Sequence, residues 1–159
     1  MATVTTDQVW DGIEAQVFGV IGMVSARNEA RTAGIVYAVH DHKLYVGTAA
    51  SEWKTRHIAQ NPHVSMTIPI TKRIPFVPWI KIPAATITFS GMARVLEADQ
   101  APAEMVEALH AGLSNDPDDT SQTVIVELTP QGDFVTYGFG VSLQTMRDTE
   151  LARGRAPVA

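Results

Sequence analysis

The sequence predicts a small, mainly β domain: an antiparallel barrel flanked by short helices. Three observations lead there. Alternating stretches recur, as in His63 to Ile70, where Val64, Met66, Ile68 and Ile70 share one face and Ser65, Thr67 and Pro69 the other. Tight turn signals such as Asp41-His42 return the chain beside itself. The helical segments are few and do not alternate with strands as a parallel sheet requires. Barrel closure would remove the exposed edges.

Taken in order, Thr5-Thr6-Asp7 caps a short amphipathic helix from Thr6 to Phe18, with Val9, Trp10, Ile13 and Val17 at helical intervals. Val17 to Ala26 is a buried strand that turns at Arg27-Asn28-Glu29-Ala30. Arg31 to His40 and Lys43 to Thr48 follow as a three-stranded meander. His63 to Ile70 and Ala84 to Ala98 are further strands, separated by Thr71 to Pro83, an irregular apolar connection broken by Pro75, Pro78 and Pro83. A helix is expected from Ala101 to Leu113, ended by the acidic turn Asn115 to Asp119. Thr123 to Thr129 and Asp133 to Leu143 are the last strands, joined across Pro130-Gln131-Gly132. Residues 1–144 form one domain, with 1–18 as its N-terminal helix, and 145–159 form a polar, extended C-terminal tail.

Composition excludes several functions. A net charge of -5 argues against a phosphate-backbone binder, so no nucleic acid partner is expected. Without cysteine there is no disulfide, thiolate metal site or cysteine nucleophile. The N-terminus lacks the basic start and apolar core of a signal peptide, and a cytoplasmic location is expected. The longest apolar stretch, Ile74 to Ile82, is interrupted by Lys81 and falls far short of the roughly 20 residues of a membrane span. Gly138-Phe139-Gly140 lacks the third glycine and the helix of a dinucleotide fingerprint, and no phosphate-binding loop, nucleophile elbow or His-Glu-x-x-His occurs.

One stretch organises the rest. From Tyr45 to Pro62 the chain reads as a strand end, a small-residue turn with hydroxyls, and a short cationic helix stopped by Asn61-Pro62. Unpaired amides and the helix dipole at its start make a place for a phosphate near Thr48 to Lys54, with Lys54 adding a full charge. The alternative is an ordinary capped helix with Ser51 as the cap and Lys54, Arg56 and His57 on a solvated face.

The pattern Tyr45-x-x-Thr48, Lys54, then Asn61-Pro62 leading into Val64-Ser65-Met66-Thr67 resembles the pyridoxamine 5′-phosphate oxidase-like flavin-binding split barrels. Gly34-Ile35-Val36-Tyr37, Ser90 to Val95 and Val124 to Pro130 fit the same pattern, which extends from Phe18 to Tyr137. The resemblance implies a six-stranded antiparallel split β-barrel and a homodimer holding FMN, or alternatively the deazaflavin F420, between the subunits. It places Lys54 on the cofactor phosphate, Thr48, Ala49 and Ser51 at the phosphate turn, and Gly34, Ile35 and Val36 along the ring. Glu52 and Trp53 stand where the family's oxidases have a serine and a basic residue. The oxidases' arginine-rich substrate-phosphate site is not matched, although Arg147, Arg153 and Arg155 carry charge of that sign, and vitamin B6 oxidation is not expected.

Trp53 either stacks on a ring or plugs the core, the commoner role for such a residue. Trp79, in the proline-rich connection, suits a subunit interface or a lid. His40 and His42 flank a hairpin tip and are read as solvated, with no metal assigned. Function is then hydride transfer by a bound flavin or deazaflavin to or from an unidentified small molecule, with no acid–base pair required and Tyr37 near the ring. The alternatives are a flavin- or haem-binding carrier or sensor without turnover, and a cofactor-free structural dimer on the same barrel.

Overall fold

A computed structural model describes residues 1–71, 82–110 and 122–159. The expected apolar connection with Trp79 and the acidic turn at 115–119 lie outside these residues, apart from the connection's ends. The elements are α1 (Thr6–Glu14), β1 (Phe18–Val24), β2 (Ala30–Val36), β3 (Ala38–His40), β4 (Lys43–Ala49), α2 (Trp53–Gln60), β5 (His63–Ile70), β6 (Ala85–Leu96), α3 (Ala103–His110), β7 (Thr123–Tyr137), α4 (Thr149–Ala152) and β8 (Arg153–Pro157). No described helix is long and apolar enough to cross a membrane.

All neighbouring strands pair antiparallel in the order β2-β1-β5-β6-β7-β4-β3, with β8 added on β7. The two ends of that path, β2 and β3, are separated in the chain by Tyr37 alone. Residues 30–40 are therefore one strand bent at Tyr37, pairing with β1 before the bend and with β4 after it. The sheet curls round to meet itself. Counted with that bent strand as one, the barrel has the six strands expected, and β8 is an addition.

Local chemistry sets the elements. Thr5 and Gln8 close a capping box on α1: the Gln8 N–H donates to Thr5 Oγ1 (3.3 Å) and the Thr5 N–H to Gln8 Oε1 (3.0 Å). Val9, Trp10 and Ile13 then enter the core. The helix stops at Glu14, short of the expected Phe18, because Phe18 already pairs with Val36. Asp41 and His42 both have positive φ (48° and 55°), as a two-residue hairpin demands, and the His42 ring lies flat on Trp10 (4.6 Å, 9°). Inside the barrel Phe134 meets Trp10 and Phe89 edge-on, at 5.4 and 5.5 Å.

Two expectations are corrected. Pro130-Gln131-Gly132 does not reverse the chain: β7 is continuous from Thr123 to Tyr137, and both halves pair with β6 across a register shift between Thr88 and Ser90. Gly132, at φ 76°, absorbs the irregularity as a bulge would. Nor is 145–159 a simple extended tail. Asp148 caps α4 by accepting from the Glu150 and Leu151 amides (3.0 and 3.2 Å), and β8 then pairs with the second half of β7. Gly154 and Ala156 face inward there while Arg153 and Arg155 remain outside, so an arginine-bearing segment can still complete a sheet.

The Tyr37 hydroxyl donates to the Ile13 carbonyl (2.8 Å) and its N–H to the Val17 carbonyl (3.0 Å), fastening the bend to α1 and its exit. Tyr37→Phe should lower unfolding free energy by about 1 kcal/mol, read as a lower denaturation midpoint with an unchanged slope.

Candidate functional site

α2 closes one end of the barrel by burying Ile58. Its entry is fixed by the Ala49 carbonyl, which accepts from Thr55 Oγ1 (2.9 Å) and from the Glu52 N–H (3.1 Å). Its exit is fixed by Asn61: its N–H donates to the His57 carbonyl (2.9 Å) and its Oδ1 accepts from the His63 N–H (3.1 Å), turning the chain into β5. The N-cap residue is Glu52, not Ser51, and its side chain makes no capping bond. That carboxylate instead turns to Lys54, with Oε2 3.3 Å from Nζ. The first-turn amides consequently receive no side-chain cap.

Helical spacing divides α2 into two working faces. Lys54 and Ile58, four residues apart, face the barrel end, where with Ile21, Ile35, Val46 and Thr48 they line a narrow cavity of about 10 Å³. That is room for about one water. Thr48 is only 5% exposed, and its Oγ1 is buried with no hydrogen-bond partner among the described residues. Trp53 and His57 lie on the neighbouring face, edge to face at 5.7 Å, and with Arg31 and Thr32 of β2 they line an open groove of about 390 Å³. A second groove of about 450 Å³ shares Arg31 and Thr32 and continues over Gly22, Ser65 and Ser90. Arg31 is also compensated: its Nη2 lies 2.7 Å from Glu29 Oε2.

The outer sheet face beside these grooves carries no charge in its central rows. Thr32, Gly22, Ser65 and Ser90 are cross-strand neighbours, as are Gly34, Val20, Thr67 and Thr88, with the Thr67 and Thr88 hydroxyls 3.1 Å apart. Val36 and Phe18 form the next pair, both exposed. A side chain at Gly34 would place its Cβ 3.0 Å from the Phe18 ring, so glycine keeps this face flat.

The eight residues expected to hold a cofactor thus fall into three places. Ile35, Thr48 and Lys54 meet at the inner cavity, and Trp53 lines the first groove. Gly34 and Val36 lie on the outer face, while half-buried Ala49 and exposed Ser51 form the turn. Trp53 does not plug the core; at 39% exposure it is a groove wall. Tyr37 is not beside the groove, since its hydroxyl is committed to Ile13 inside the protein and burial pushes its pKa upward. Arg31, Thr32 and Ser65 were not singled out by the sequence reading, because only the register of β2 and β5 puts them beside α2 and the grooves.

A separate polar cluster lies between β4, β6 and β7. Glu127 accepts from Tyr45 Oη (3.0 Å), Lys43 Nζ (3.3 Å) and Arg94 Nη2 (2.9 Å). Burial pushes the Glu127 carboxyl up, but the Tyr45 and Lys43 hydrogen bonds and the Lys43 and Arg94 charges together hold it below the usual carboxylate range. Burial first, then the bond to Glu127, pushes Tyr45 up to about 12. Tyr45 packs with Met105 and Ile125 under α3, and His40 Nδ1 lies 3.0 Å from Glu104 Oε1. His40 is half-buried and pairs with Glu104, while His42 stacks on Trp10 yet remains exposed, as expected of a hairpin tip. Each donor has a partner, and the cluster reads as the fastening of α3.

A family model described as pyridoxamine 5′-phosphate oxidase matches residues 5–133. The chain belongs to that family. No curated protein matches it in sequence. Among solved structures of this split-barrel fold, it resembles General Stress Protein 26 of Bacillus anthracis (TM-score 0.60, 20% identity, covering 83% of this chain and 91% of that one). It also resembles the haem storage protein HutZ of Vibrio cholerae (TM-score 0.63, 18% identity, 84% and 95% covered). An F420 reductase is a third neighbour (TM-score 0.54, 18% identity, 78% and 93% covered). Identities this low establish the shared fold.

Lys54 suits an anionic, flat cofactor in sign, and the open grooves, unlike the one-water cavity, suit it in size. Lys54 and an unpartnered hydroxyl converge at the amino end of α2, and the adjoining groove is of ligand-pocket volume, about 300 to 1,000 Å³.

Because the folded Glu127 pKa is depressed, its contribution to stability is present above the unfolded value and is lost as pH falls through the folded one. Glu127→Gln should cost about 2 kcal/mol at pH 7. Denaturation midpoints of wild type and variant should converge as the pH drops below about 4.5, the ordinary carboxyl value.

Proposed function

We propose that this protein is a flavin- or deazaflavin-binding oxidoreductase, using FMN or F420, that works as a homodimer on an unidentified small molecule. The observation that carries the reading is the convergence of Lys54 and the orphaned Thr48 hydroxyl at one cavity beneath the uncapped start of α2. A bound flavin or deazaflavin would supply hydride transfer. The chain's task is to bind, orient and exclude water. Lys54 and the first-turn amides would hold the phosphate; Trp53 would offer an aromatic wall; Gly34 would leave the strand flat enough for a ring to approach. His57 or Thr32 would supply polar contacts from the groove.

The apolar residues of the outer face support the dimer. Phe18, Val36 and Val135 are exposed large apolar residues on it, and a second copy would cover them as a subunit interface does. The F420 reductase among the structural neighbours supports the deazaflavin option by fold alone. Vitamin B6 oxidation is not proposed: Arg153 and Arg155 are on β8, which is paired to β7, and Arg153 lies 3.7 Å from Glu150 and Arg155 3.2 Å from Asp133.

The absorption spectrum of the purified protein, followed by titration with FMN and with F420, tests the reading. Bleaching of the bound cofactor by a reduced nicotinamide would identify an enzyme; a bound cofactor that no reductant turns over would identify a carrier. Lys54→Ala should weaken binding of a phosphate-bearing cofactor by about 1.5 to 3 kcal/mol and leave riboflavin, which lacks the phosphate, unaffected. Equal affinities for both variants would remove Lys54 from the site.

A further inference from the structure

Both cations beside the site are matched by a carboxylate two residues earlier in the chain: Lys54 by Glu52 at 3.3 Å, and Arg31 by Glu29 at 2.7 Å. The pairing at Lys54 is the consequential one. Glu52 occupies the N-cap of α2, spends no oxygen on the helix amides, and sets its charge against the ammonium that a ligand phosphate would need. The Lys54 side chain is 23% exposed and that of Glu52 44%, so a like charge brought alongside is only partly screened by water. Thr48 Oγ1, without a hydrogen-bond partner among the described residues, lines the same cavity and is free to bond an incoming group.

Resting on the phosphate-binding reading above, we propose that Glu52 determines which phosphate the site accepts, favouring a singly charged phosphodiester over a doubly charged phosphomonoester. A terminal phosphomonoester carries about 1.5 to 2 negative charges at pH 7. Its second charge faces Glu52 across Lys54, whose single positive charge is already shared. A diester brings one charge, which Lys54 and the uncapped amides can hold with Glu52 still in place. The ligand class is thus a flat heteroaromatic whose phosphate is esterified on both sides.

Three probes with one ring system separate the effects: riboflavin, FMN, and the monomethyl phosphodiester of FMN, titrated by fluorescence quenching into wild type, Glu52→Gln and Lys54→Ala. Wild type should bind the methyl diester more tightly than FMN, and Glu52→Gln should shift that preference toward FMN by about tenfold, the effect of one like charge in a half-exposed setting. Riboflavin should bind both proteins alike. A diester-to-FMN ratio that is the same in wild type and Glu52→Gln, while Lys54→Ala weakens both phosphate-bearing probes, would overturn the role of Glu52 and leave the phosphate site standing. Phosphate-bearing probes that bind no better than riboflavin to any of the three proteins would remove the site and the role of Glu52 together.

Discussion

The bend at Tyr37 is the constraint on which the rest of the structure depends. A single residue joins the two end strands of the sheet, and its hydroxyl and amide are both held by the exit of α1. Were residues 30–40 straight, β1 and β4 would lie on either side of one strand in an open meander, with two long edges exposed. Bent, the same residues hand pairing from β1 to β4 and bring the sheet round on itself. The barrel end so formed is the opening that Ile58 seals, and α2 is held there with its amino end over the strand that carries Thr48.

Placement and charge pull in different directions at that opening. Geometry offers a helix start without a side-chain cap, a lysine and an orphaned hydroxyl, all favourable to an anion. Glu52 and Glu29 cancel much of the attraction before any ligand arrives. Under the proposed anion site, such a balance would discriminate by charge count as well as by shape, because each further unit of negative charge on the ligand would meet a carboxylate already in position. The buried cluster around Glu127 is the opposite case: three donors from β4 and β6 surround one carboxylate, and Tyr45, one of them, packs under α3.

Strand content was legible because period-two alternation survives wherever one face is buried, as in His63 to Ile70 and Ala85 to Leu96. The break at Tyr37 was not, since no glycine or proline marks it; it is imposed by partners far away in sequence. Pro130-Gln131-Gly132 misled for the converse reason: turn chemistry is present, but pairing of both flanks with β6 turns a reversal into a bulge. The arginine-bearing β8 reads as a tail until Gly154 and Ala156 are seen to be its inward residues. Lys54 and Thr48 were singled out from spacing and family resemblance, and the structure brings them to one cavity, whereas the partnership of Lys54 with Glu52 and the groove lined by Arg31 and Trp53 depend on side-chain direction and strand register.

The long β7 strand also sets the order in which the molecule can assemble. The β1–β2 and β3–β4 hairpins join near neighbours, but β4 must find β7 across a gap as wide as that between Leu44 and Leu128 before the cylinder can shut. Loop-closure entropy makes such distant pairing late, and chains dominated by it mature in roughly milliseconds to seconds. During that interval the curled half-sheet would show its apolar lining to solvent, which makes closure by β7 the step most exposed to misassociation between nascent chains.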